Sequence, residues 1–99
     1  MKIRGGDIWT LTGGVDVLVL SSTVYNDIAS EPTVIVAPIF ADEPVEGFGV
    51  LIGEHRWAAP GLITSLRKER LTEYRSSVDV QALTDVNTML FRILATPDR

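Results

Sequence analysis

The apolar residues of this chain come in short, β-branched runs separated by turn chemistry, and only its last part carries a helical rhythm. That arrangement restricts the chain to a small sheet or barrel with one helix. Ile8 to Leu11 ends at Thr12-Gly13-Gly14, and the next run, Val15 to Leu20, is interrupted only by Asp16. The two glycines permit positive φ, so the pair reads as a tight hairpin. Val34 to Ile39 follows Glu31-Pro32 and is rich in β-branched residues, whose restricted χ1 favours extended backbone. The acidic stretch Ala41 to Glu46 reads as a loop, and Phe48 to Ile52 as a fourth strand before a turn at Gly53-Glu54. A fifth extended run covers Arg56 to Ala59 and, after Pro60, Gly61 to Ser65. Pro60 has no N–H to give a ladder and is expected at an edge or a bulge. Leu66 to Leu71 suits one helical turn, and Tyr74 to Val78 a last short strand.

The helix follows. Asp79 is a suitable N-cap, and Leu83, Val86, Leu90, Ile93 and Leu94 recur as one apolar stripe. Pro97 bars its continuation. Met89 and Phe91 fall off the stripe and mark a second apolar face suited to another subunit. With 99 residues the chain has room for one domain, residues 1–99, around one core.

The chain has no cysteine, which excludes disulfide staples, thiolate metal sites and a cysteine nucleophile together and suits a reducing cytoplasm. The apolar runs fall far short of the roughly 20 residues of a membrane span, and the start MKIRGGD has no hydrophobic signal region, so no membrane association is expected. No His/Asp/Glu spacing suggests a metal site and no glycine-rich loop suggests a nucleotide cradle, so no cofactor is expected. Net charge is -4, unusual for a protein that grips phosphates. Its distribution is uneven. Residues 1–53 carry two cations against seven acids, whereas residues 54–99 carry seven cations against six acids. An anionic partner would be held by a local patch.

The order of these pieces resembles the MazF/PemK toxins of toxin–antitoxin pairs, relatives of CcdB, over nearly the whole chain. Arg4-Gly5-Gly6-Asp7-Ile8-Trp9 is similar to that family's start, a basic residue followed by Gly-Asp-Ile/Val-Trp/Tyr. Val17-Leu18-Val19-Leu20-Ser21-Ser22 followed by Tyr25-Asn26 resembles its second strand and the turn after it. Val34-Ile35-Val36-Ala37-Pro38-Ile39 resembles its third strand, and Lys68-Glu69-Arg70-Leu71 the end of the stretch before its last strand.

The resemblance implies an α+β, mainly β fold: a small SH3-like barrel of about five to six strands with a C-terminal helix. It implies a two-fold homodimer and a cognate antitoxin that covers the active groove. In the RNA-cleaving members it implies metal-independent cleavage of single-stranded RNA, in which the 2′-hydroxyl attacks the neighbouring phosphate. An arginine near the start of strand two and a threonine or serine at the end of strand three carry that chemistry. This chain departs from both: Asp16-Val17 stands for Arg-Pro, and Ile39-Phe40 for Ile-Thr or Ile-Ser. A guanidinium stabilises a pentavalent phosphorane where a carboxylate repels it, so Asp16 is not the phosphate clamp. CcdB-like members act on DNA gyrase instead and need neither residue, and neither would a catalytically silent MazF-like binding or regulatory homologue, the third alternative. Gly53-Glu54-His55-Arg56-Trp57 is similar to the CcdB Gly-Asp-Glu-Ser-Trp, but Ala95-Thr96-Pro97-Asp98-Arg99 lacks the Trp-Gly-Ile end that makes gyrase contact there.

Among individual residues, His55, the only histidine, sits between Glu54 and Arg56 in an expected turn. It suits a general acid or base, or simply a solvated turn. His55 and Arg56 are the catalytic candidates. Thr12, Arg67, Lys68 and Arg70, with Arg75, are the RNA-binding candidates; the alternative for the cations is a solvated face paired with Glu69 and Glu73. Trp9 and Trp57 offer base-stacking surfaces or, with Met89 and Phe91, anchors of the core or a dimer interface. Ser21, Ser22 and Thr23 could meet His55 in a hydroxyl constellation, but no Gly-x-Ser-x-Gly elbow is present and turn capping is the alternative.

Overall fold

A computed structural model describes residues 2–44 and 46–95. Seven strands are present among them: β1 Asp7–Leu11, β2 Asp16–Val19, β3 Thr33–Phe40, β4 Val50–Gly53, β5 Arg56–Ala58, β6 Thr64–Arg67 and β7 Leu71–Ser77. A single turn of helix, α1, covers Thr23–Asn26, and α2 covers Val80–Ile93. Every strand pair is antiparallel. The spatial order is β4-β5-β3-β2-β1-β7, with β6 also on β3.

The strand count exceeds the five to six expected because the fifth run divides. Both halves lie along the same edge of β3: β5 pairs with Ile39 and Phe40, and β6 with Thr33 to Val36. Between them the chain leaves that edge in a 3-10 turn, Pro60–Leu62. Pro60 opens this turn and is buried, so it sits at a break between two strands, where its missing N–H costs no ladder bond, and not at an exposed edge or a bulge. Leu66, expected to begin a helical turn, remains in β6; only Lys68–Arg70 form such a turn, of 3-10 type. β7 then starts at Leu71, earlier than expected, because it runs the full length of β1.

The sheet curls into a half-barrel. Trp9, Leu11, Val17, Val19, Val34, Val36 and Leu71 form one core with Leu66 packed against it. The opposite face carries Ile8, Leu18, Val50 and Ala58 against Val86 of α2. Asp79 caps α2 by accepting from the Ala82 N–H at 2.8 Å. Met89 packs against this second core, whereas Phe91 is 74% exposed. Leu94, placed on the stripe by sequence, is the C-cap and half-exposed. Pro97, expected to stop the helix, lies outside the described residues. No helix among the described residues is long and apolar enough to cross a membrane.

Candidate active site

The hairpin of β1 and β2 turns on Gly13 and Gly14, at φ +103° and +92°, where a side chain would be strained. The register this turn fixes sets Thr10 directly opposite Asp16. Side chains opposite one another across a ladder share a face, and the Thr10 hydroxyl donates to Asp16 Oδ1 at 2.6 Å. On the other side of β1, Thr10 is opposite Glu73 of β7. A register shift beside Trp9 leaves Arg75 as the extra residue of β7, and its Nε donates to Thr10 Oγ1 at 2.7 Å. Arg75 also meets Glu73 at 3.3 Å.

From the other direction comes Arg56, the first residue of β5, whose guanidinium lies 3.7 Å from Asp16 Oδ2. Asp16 is therefore neither isolated nor free: one oxygen faces a guanidinium and the other accepts a hydroxyl. A shallow cleft of about 380 Å³ opens here, lined by Gly14 to Asp16, Ile39 to Ala41, His55 and Arg56. The curl brings together the four positions that sequence singled out: Asp16, Phe40, His55 and Arg56. Phe40 is 39% exposed and turns an aromatic surface to the cleft. His55 stands at the β4–β5 turn with φ +55°, a conformation few side chains adopt, and its Nε2 lies 3.9 Å from Glu54.

The remaining candidates lie elsewhere. Arg67 is tied to Glu69 at 2.8 Å, a contact that raises the guanidinium's pKa and lowers the carboxyl's. Lys68 Nζ donates to the Ile28 carbonyl, and Arg70 lends its carbonyl to the Thr12 N–H. Trp9 is buried in the core, edge-on to Tyr74 at 5.7 Å, with an indole N–H that has no partner among the described residues. Trp57 is half-buried and stands opposite Phe40 in the ladder. The three hydroxyls serve local structure: Ser21 bonds Asn26 and the Ile35 N–H, Ser22 caps α1, and Thr23 accepts from Gly5.

Sequence reasoning misses Thr10, although a hairpin centred on Gly13 places it opposite Asp16 by counting alone. It also groups Arg75 with Arg67, Lys68 and Arg70; the β7 register separates Arg75 from them.

Comparison with known proteins gives a family and a fold. The model of the PemK-like, MazF-like toxins of type II toxin–antitoxin systems matches residues 13–94. No curated protein matches the sequence. Among solved structures, an endoribonuclease from a mycobacterial species superposes with a TM-score of 0.84 at 18% identity, over 98% of this chain and 95% of that one. The MazE–MazF structure from Deinococcus radiodurans gives 0.82 at 21% identity, over 97% and 99%. A mycobacterial endoribonuclease in complex with its cognate antitoxin gives 0.79 at 18%, over 97% and 98%.

Proposed function

Because the chain belongs to the PemK-like, MazF-like toxins of type II toxin–antitoxin systems, we propose that it is the toxin of such a pair. It cleaves single-stranded RNA in the cytoplasm, as one domain in a homodimer, and a cognate antitoxin silences it. The observation that carries the RNA reading is the meeting of Arg56, His55, Phe40 and Asp16 in one open cleft. Arg56 binds the non-bridging oxygens of the scissile phosphate and stabilises the phosphorane. The 2′-oxygen forms a bond to phosphorus and the bond from phosphorus to the 5′-oxygen breaks. His55, at the exposed tip of its turn, takes the 2′-hydroxyl proton and returns one to the 5′-oxygen. Phe40 gives a base a surface to stack on. Asp16 holds Arg56 in place before substrate arrives.

Two features support the partners. Pro44, Phe48, Ala59, Leu62 and Ile93 line an apolar cleft of about 390 Å³ beside the end of α2, and Leu62 and Phe48 are 50% and 44% exposed. Such a surface suits a second copy of the chain. One of the similar structures is named as an endoribonuclease in complex with its cognate antitoxin, and another as MazE–MazF. The test is purified protein with single-stranded RNA in EDTA, which should yield fragments ending in a 2′,3′-cyclic phosphate. Intact RNA, with DNA gyrase trapped on DNA instead, would replace this reading with the CcdB-like one.

A further inference from the structure

Around Asp16 one guanidinium meets the carboxylate directly and a second reaches the hydroxyl that donates to it. Arg56 stands at Oδ2, 3.7 Å away, and Thr10 donates to Oδ1 at 2.6 Å. The Thr10 oxygen in turn accepts from Arg75 Nε at 2.7 Å. We infer that Asp16 is an internal stand-in for a phosphate of bound RNA, and that Arg75, joined to it through Thr10, is a second phosphate-binding residue beside Arg56.

The inference rests on the RNA reading above and adds residues to it. A carboxylate that receives a guanidinium on one oxygen and a hydroxyl on the other has the donor pattern that two non-bridging phosphate oxygens require. All three charged side chains reach solvent, being 28% exposed at Asp16, 39% at Arg56 and 46% at Arg75. Exchange with an incoming anion therefore opens no core. Partly exposed ion pairs also hold weakly, so a phosphate can displace them. At rest Asp16 and Glu73 neutralise the two cations, which fits a chain whose overall charge of -4 does not draw RNA from a distance. Binding then depends on exchange: the phosphate takes the guanidinium groups and Asp16 keeps the Thr10 hydroxyl.

The test measures binding of a 2′-O-methyl RNA oligonucleotide, which cannot be cleaved by 2′-attack, over a series of salt concentrations. Asp16→Asn retains the acceptor for Thr10 and removes the charge. It should tighten binding about tenfold and steepen the log–log salt dependence by ~0.7 for each further phosphate neutralised. Arg75→Gln placed on Asp16→Asn should abolish that extra slope, and Arg75→Gln alone should weaken binding by the parent and flatten its salt dependence. Unchanged or weaker binding by a folded Asp16→Asn protein would overturn the inference while leaving RNA binding by the parent intact. Failure of the parent and the variant alike to bind would remove the RNA reading itself and the inference with it. A second measurement needs no variant: the Arg75 Nε–H resonance should shift when the parent is saturated with the oligonucleotide. A resonance that stays in place would also overturn the proposal.

Discussion

His55 shows how a single side chain is held ready by its backbone. The β4–β5 turn forces His55 to φ +55°, a region that costs a non-glycine residue roughly 1 kcal/mol or more. His55→Gly is therefore expected to melt no lower than the parent while cleaving RNA far more slowly; normal cleavage would remove His55 from the chemistry. A second residue-scale prediction lies away from the cleft. Tyr25 donates to Glu31 at 2.8 Å, and this hydrogen bond holds the Glu31 carboxyl below its ordinary value. A carboxyl depressed in the folded state contributes stability above its unfolded pKa and loses it as pH falls through the folded one. The stability difference between the parent and Tyr25→Phe should be full at neutral pH and narrow in acid. Urea unfolding at several pH values measures it, and a gap independent of pH would contradict the assignment.

At the scale of elements, the capped helix and the first hairpin follow from local chemistry. Asp79 supplies the oxygen that satisfies the Ala82 N–H, so Asp79→Ala should cost about 1 kcal/mol and lower Tm by ~4–8 °C. A shift under a degree would mean that packing of Val86 alone holds α2. The strands were legible where β-branched runs met glycine or proline, and Asp79 was legible as a cap because capping is local. The division of the fifth run was not: whether residues around Pro60 continue one strand or break into two depends on the free edge of β3, to which both halves pair. The contact between Arg75 and Thr10 spans 65 residues and follows from a register shift between β1 and β7 that no residue type announces. The approach of Arg56 to Asp16 likewise depends on the curl of the sheet. The candidate site was thus legible as residues and illegible as an arrangement; the resemblance identified Asp16 as a departure, and only its neighbours say what the departure does.

The whole molecule leaves apolar surface beside the end of α2, around Leu62, Phe48 and Ile93, the surface that the proposed homodimer would cover. Light scattering should give twice the chain mass at micromolar concentration, and Leu62→Glu should give the monomer with the same circular dichroism spectrum. A parent that is monomeric at that concentration would contradict the dimer. The central claim is that this molecule cuts RNA at the cleft between Asp16 and Arg56. Its most direct test is the single-turnover cleavage rate of one single-stranded RNA in EDTA by the parent and by Arg56→Ala. Loss of a transition-state contact of this kind should slow the cleavage step about a hundredfold, or ~3 kcal/mol, with the cut site unchanged. An equal rate from both proteins would place the chemistry elsewhere and contradict the account.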